Sequence, residues 1–227
     1  MKIVIIGAMQ AEINFLLSKI TNYSTIKHYK YTFYEGSLFG KDIVLVASGI
    51  GKVASGLLVS ALVNYYKDID LIINVGVSGG ILNKVNIGDV VVADSLKYAD
   101  VDVYDNEYGR MPNCPASFPT RIDQIRKMQF AQNYKIGTII TGDQFYKNFT
   151  VVDNLINTYF LNDNVLCIDM ESGALAHSSW FYEIDYLAIR SISDIVGSTH
   201  QDKEFENNLE LACINSNLFL LEVLEKI

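Results

Sequence analysis

Short, nearly uninterrupted apolar runs recur along this chain, and they constrain its fold more than any other feature. Leu71 to Val75 is one such run, and Val90–Ala93, Ile136–Ile140, Val165–Ile168 and Tyr186–Ile189 resemble it. A strand with one solvated face alternates apolar and polar residues; a strand covered on both faces does not. Between the runs lie segments with helical spacing: Met9 to Ile20, Val53 to Tyr66 (read as a buried helix), Ala174 to Trp180, and an amphipathic segment from Lys203 to Ile227. Val4–Gly7, Tyr31–Tyr34 and Ile43–Ala47 add strands, the last two joined through Gly36 and a turn at Gly40-Lys-Asp. The alternation predicts an α/β sandwich around a mostly parallel sheet. At 227 residues, with no Gly/Ser or Pro linker, residues 1–227 read as one domain.

Charge and cysteine usage narrow the partners. The formal net charge of -8 argues against nucleic acid and anionic membrane as partners. No run approaches the roughly 18 apolar residues of a membrane span. The N-terminal apolar run is broken at Gln10 and Glu12, unlike a signal peptide. The three cysteines, Cys114, Cys167 and Cys213, form no CxxC pair, and a reducing cytoplasm is the expected location. The three prolines all fall in Met111–Pro119, part of a long loop that begins near Tyr104.

Three acids carry the chemical interest. Glu12 follows the first apolar run, Glu171 follows Val165-Leu-Cys-Ile-Asp-Met, and Asp194 closes Tyr186-Leu-Ala-Ile-Arg-Ser-Ile-Ser. Loops at strand ends of α/β sheets converge on one crevice, and acids with few cations beside them suit chemistry that develops positive charge. Taken singly, each has a structural alternative: Glu12 on the solvent face of a helix, Glu171 and Asp194 as helix caps. Gly76-Val-Ser-Gly-Gly80 reads either as a tight strand-to-helix turn or as a place where a ligand approaches the backbone. It has neither the G-x-G-x-x-G spacing nor a P-loop's Gly-Lys-Ser/Thr. His28, His177 and His200 lack metal-ligand spacing, and no zinc-hydrolase or acyl-enzyme motif is present.

Six ordered segments carry a family likeness: Ile5-Ile-Gly-Ala-Met-Gln-Ala-Glu12, Ser48-Gly-Ile-Gly-Lys-Val53, Asn74-Val-Gly-Val-Ser-Gly-Gly80, Gly142-Asp-Gln-Phe145, Asp169-Met-Glu171 and Arg190-Ser-Ile-Ser-Asp194. Together they resemble the bacterial 5'-methylthioadenosine/S-adenosylhomocysteine nucleosidases of the purine nucleoside phosphorylase superfamily. The resemblance spans essentially the whole chain. It implies a three-layer α/β/α sandwich around a central mixed sheet, and hydrolysis of an adenine nucleoside without a cofactor or metal. By resemblance, Asp194 is the acid at purine N7 with Ser193 in support, Glu12 activates water, and Arg190 helps hold it. Glu171 holds the ribose hydroxyls, Met170 packs on the sugar, and Phe145 with the backbone of Tyr146 takes the base. Met9 and Ile50 line the 5'-thio pocket and Phe205 closes over it. The family's dimer lends loop residues across its interface, at the positions of Val101, Tyr104 and Pro112.

Two positions depart from the family pattern. Val77 stands where a serine usually helps hold the water, with Ser78 beside it. Asp169 stands where a glutamate usually precedes the ribose carboxylate. The expected consequences are weaker water positioning and an altered ribose grip. The alternatives are a phosphorylase, a nucleosidase of another purine preference such as a futalosine hydrolase, and a binding protein that has lost turnover. The phosphorylase is opposed by Gly7–Glu12, which holds no basic residue for phosphate, and by the uncharged Gly76–Gly80.

Overall fold

A computed structural model describes residues 1–227. In order, the elements are β1 (Lys2–Gly7), α1 (Gln10–Leu17), β2 (Thr21–His28), β3 (Tyr31–Leu38), β4 (Lys41–Ala47), α2 (Lys52–Tyr65), β5 (Leu71–Gly80), β6 (Val90–Tyr98), α3 (Ile122–Arg126), β7 (Lys135–Thr141), α4 (Phe149–Tyr159), β8 (Val165–Asp169), α5 (Ser172–Phe181), β9 (Asp185–Ile195) and α6 (Gln201–Lys226). The apolar runs sort as a strand's two-residue period requires. Ile3 and Ile5 of β1, with Ile43, Leu45, Leu71 and Ile73, pack on α1 and α6. Val4 and Ile6, with Val44, Val46 and Ile72, pack on the opposite face against α2 and α5. Each such side chain contributes roughly 1.5–3 kcal/mol by leaving water, so both faces must be covered, and the layers are α/β/α.

The sheet has nine strands in the order β2-β3-β4-β1-β5-β8-β7-β6-β9. It is mixed: β1 runs parallel to β4 and β5, β5 is parallel to β9, and the β2-β3-β4 hairpins are antiparallel. Half of it curls shut, because β5 pairs with β9 along its length and with β8 through Gly79 and Gly80. Strands β5, β8, β7, β6 and β9 therefore close on themselves. A third cluster around Ile140, Ile156, Phe160 and Ile168 packs under α4.

Several expectations need correction. Gly76–Gly80 is no turn; β5 continues through it to Gly80. Strand β2 has no counterpart in the sequence reading, because it is an edge strand with little buried surface and no apolar alternation. The β3–β4 turn is Phe39–Gly40, both with positive φ, the type I′ geometry a two-residue hairpin favours. Helix α2 is buried on one face only, and its Val53 and Leu57 are exposed. Helix α6 starts at Gln201, two residues earlier than its apolar pattern indicates. No helix is long and apolar enough to cross a membrane.

Candidate active site

One cavity of about 120 Å³ gathers residues from β1's end, β5, β8's end, β9 and the start of α6. Its walls are largely apolar, and no lysine, arginine or histidine side chain borders it. The three acids singled out in the sequence all border it and are buried: Glu12 is 3%, Glu171 6% and Asp194 1% exposed. The structural alternatives for Glu12 and Asp194 therefore fail, while Glu171 does stand at the N-terminal end of α5. Glu12 is not on a solvent face, Glu171 makes no side-chain cap although it sits at the N-cap of α5, and Asp194 lies inside β9.

Glu12 sits in the first turn of α1 with its carboxylate turned back toward β1. Its Oε2 accepts the Ala8 N–H at 2.6 Å and the Met9 N–H at 2.9 Å, and its Oε1 accepts the Val77 N–H at 2.9 Å. The Met9 bond is the glutamate half of a capping box. Asn217 of α6 fastens the same turn by donating to the Glu12 carbonyl at 2.8 Å. Gly76 makes room for the carboxylate, since a Cβ there would collide with Glu12 Oε1. The glycine run thus serves the protein's own acid at this position. Burial pushes the Glu12 carboxyl above the ordinary glutamate value; the charge of Arg190 and the three backbone donors act against this.

Arg190 lies under the cavity and is itself 1% exposed. Its Nε donates to Asp169 Oδ2 at 2.9 Å, Nη2 lies 2.9 Å from the same oxygen, and Nη2 also donates to Asn74 Oδ1. The Glu171 carboxylate is 3.9 Å from Nη2. Burial opposes its charge, but Asp169, Glu12 and Glu171 together hold it protonated. Its Nη1 has no partner and points to the gap beside Gly76 and Glu12.

Asp169 borders the cavity, yet its carboxylate is committed below it. Besides Arg190, Oδ1 accepts from Thr141 Oγ1 at 2.6 Å, and the Ser172 hydroxyl donates to Oδ2. At this position the carboxylate forms a structural link between β7, β8, α5 and β9. Asn74, which the sequence reading did not single out, completes the hub; its Nδ2 donates to Ile6 O at 2.9 Å and its Oδ1 accepts from Ser172 and Tyr186.

Glu171 Oε1 accepts the Gly51 N–H at 2.9 Å, which ties the loop before α2 to the site. Burial, then the Asp169 carboxylate, raise its carboxyl. Met170 beside it borders the cavity, as do Met9 and the half-exposed Ile50.

At the other end, Asp194 Oδ1 accepts the Ser193 hydroxyl at 2.6 Å and Oδ2 accepts Gln201 Nε2 at 2.8 Å. Burial raises its carboxyl, and these two donors pull against that. Phe145 and Tyr146 line this end, and Phe205 meets the Phe145 ring edge-on at 5.8 Å. Val77 and Ser78 both border the cavity, but adjacent strand residues point to opposite faces. Val77 packs with Met9, Phe205 and Cys213, while Ser78 turns toward the Cys167 thiol.

Val101, Tyr104 and Pro112 do not border the cavity of their own chain. Val101 packs partly on the core, Tyr104 is exposed, and Pro112 is exposed. Gln201 is the lining residue that the sequence reading missed with most consequence. It sits in a polar stretch with no periodicity to mark it.

The family model described as the phosphorylase superfamily matches residues 2–225. A 5'-methylthioadenosine/S-adenosylhomocysteine nucleosidase of Tolumonas auensis is 34% identical over 235 residues, covering 100% of both chains. The crystal structure of the Streptococcus pneumoniae MTA/SAH nucleosidase in complex with 8-aminoadenine superposes with a TM-score of 0.93 at 32% identity, covering 100% of each chain. The same enzyme with the transition-state inhibitor MT-ImmA gives 0.91 at 32% identity, covering 100% of this chain and 99% of that one.

Proposed function

From the premise that this chain belongs to the phosphorylase superfamily, we propose that it hydrolyses the N-glycosidic bond of 5'-methylthioadenosine and S-adenosylhomocysteine. The products are adenine and the 5-substituted ribose. The observation that carries this reading is the cavity itself: three buried carboxyls border it, and no cationic side chain does. A phosphorylase must hold a phosphate dianion. Here a phosphate would meet Glu12, and Nε and Nη2 of the nearby cation Arg190 are engaged by Asp169 and Asn74, which leaves only Nη1. Water suits that place better. The names of the similar nucleosidases, and the adenine analogue and transition-state inhibitor bound to one of them, support the substrate class.

The chemistry follows from charge. Breaking the bond leaves an oxocarbenium-like ribosyl cation and a purine, and a purine protonated at N7 departs as a neutral base. Asp194 is the acid at N7, because burial favours its protonated form. Glu12 is the base that takes a proton from water. Its three backbone donors keep a carboxylate oriented, and the free Arg190 Nη1 supplies a second point to hold that water. Glu171 accepts from the ribose hydroxyls, and with Glu12 it stabilises the positive sugar. Phe145 and the Tyr146 backbone take the base, Met170 the sugar, Met9 and Ile50 the 5' substituent, and Phe205 covers it.

The active form in this reading is a homodimer. Val53 and Leu57 of α2 and Ile50 just before it expose 71%, 61% and 58% of their surface, and Tyr104 is exposed and does not border the cavity of its own chain. These are the features of surfaces that a second copy covers. The three buried free cysteines suit a reducing cytoplasm.

The test is adenine release from methylthioadenosine, with and without phosphate. Phosphate-independent release together with free methylthioribose is expected. Release only with phosphate would establish a phosphorylase, and binding without release a protein that has lost turnover.

A further inference from the structure

Gln201 opens α6 and is buried at the Asp194 end of the cavity. Its Oε1 accepts the Gly197 N–H at 2.9 Å, which fixes which way the carboxamide faces. Its Nε2 then donates twice, to Asp194 Oδ2 at 2.8 Å and to the Tyr146 carbonyl at 2.9 Å. One NH2 group thus satisfies two buried acceptors from different segments. The exocyclic amine of adenine is also a single nitrogen carrying two N–H donors. The Asp194 carboxyl and the Tyr146 backbone are the groups that the reading above assigns to the base.

We propose that the Gln201 carboxamide is an internal stand-in for the purine amine, displaced when the base binds and restored as adenine leaves. The inference rests on the purine placement proposed above and adds how that subsite exchanges its ligand. Two amino groups cannot occupy the space between the same acceptors, so binding of the base and the Gln201 contact exclude each other. Gln201 forms part of the cavity wall at this point, so a base that takes both acceptors must displace it.

A route for withdrawal is present. Gly197 has a φ of +80°, and it precedes the first turn of α6. Besides the Gln201–Tyr146 bond, that turn is tied to the loop before α4 by an exposed Lys147–Asp202 ion pair and the Phe145–Phe205 contact, and Glu204 accepts the Ile195 N–H of β9. Both acceptors stay satisfied at each end of the exchange, which lowers the cost of exposing them. Because the contact must be surrendered by any base, it weakens substrate and product binding alike and speeds adenine release.

The experiment compares the full-length wild type with Gln201→Met, which keeps side-chain length but removes the donors, and with Gln201→Ala. Adenine affinity is read by titration calorimetry, KM with methylthioadenosine, and adenine release by stopped flow. Losing the internal competitor is expected to tighten adenine roughly tenfold, to lower KM and to slow release. A merely structural Gln201 would change the melting temperature without tightening adenine. Unchanged or weaker adenine binding in both variants overturns the inference. If one variant does not fold, the other decides. Wild type that neither cleaves methylthioadenosine nor binds adenine would instead undercut the proposed function.

Discussion

The two ends of the cavity are built differently. The floor, around Glu12, Arg190, Asp169 and Asn74, is held by partners on strands and on the first turns of α1 and α5, and every one of these side chains is buried. The Asp194 end, proposed above to hold the purine, rests on Ser193 and Gln201, and is roofed by Phe145, which is 42% exposed, and by Phe205 on the first turns of α6. Opposite charges on the floor fix one another before any substrate arrives, the condition under which electrostatic stabilisation costs no reorganisation. At the purine end the contacts come from a loop and a helix start, which can move to admit and release a base.

Substitutions on the floor should therefore have the largest effects. Glu12→Gln keeps the shape but not the charge, and a general base contributes about 10²–10⁴-fold; turnover should fall by that much with substrate binding nearly retained. Near wild-type turnover would show that the water chemistry is assigned to the wrong group. Gly76→Ala drives a methyl into the Glu12 carboxylate, and should cost a comparable factor in kcat while leaving the purine end intact. Asp194→Asn is the one substitution at the other end expected to match these, because it removes the acid itself: hydrolysis should be abolished, but adenine should still bind.

The pH profile sharpens the contrast, because burial raises both carboxyls while their roles demand opposite states. Glu12 must be ionised, so activity is lost as pH falls through its raised pKa. Asp194 must be protonated, so activity is lost as pH rises through its own. A bell-shaped kcat/KM profile is expected, with its acid limb above the ordinary glutamate value. A profile flat across this range would break the two-acid assignment. At the purine end effects should shrink: Phe205→Ala removes one edge-to-face contact, worth about 0.5–1.5 kcal/mol, and should raise KM by up to roughly tenfold with a smaller change in kcat.

The sequence is legible where burial imposes a pattern and opaque where geometry decides. The apolar runs identify β1, β4, β5, β6, β7, β8 and β9, because a strand covered on both faces must be apolar throughout. They do not reveal β2, which buries almost nothing, or the closure of β5 onto β8. The three acids stand out in sequence by their place after apolar runs. Their number around one cavity does not, since β9 carries Asp194 to a point that only the β5–β9 register defines. Gly76 and Asn74 lie in a motif that is visible, but their use is not. A glycine that admits the protein's own carboxylate looks the same in sequence as one that admits a ligand. Gln201 leaves no trace at all, since a glutamine in a polar stretch has no expected partner until the fold supplies Asp194 and Tyr146.

The smallest effect tests the one place where floor and cavity wall meet. Val77 lends Glu12 its backbone N–H, but its side chain is a packed apolar contact with Met9, Phe205 and Cys213. Val77→Ser would place a hydroxyl on the side of the strand that packs on α6, in a residue whose own N–H already holds the Glu12 carboxylate. Turnover should rise a few-fold, because a third fixed partner restricts the attacking water, while stability should drop by about 1 kcal/mol from the lost methyls. Ser78→Ala is the paired control. Its hydroxyl points to the opposite face, toward Cys167, so removing it should alter turnover by less than about twofold. If Ser78→Ala lowered turnover more than Val77→Ser raised it, the water would sit on the other side of β5, and the floor would have to be redrawn around Ser78.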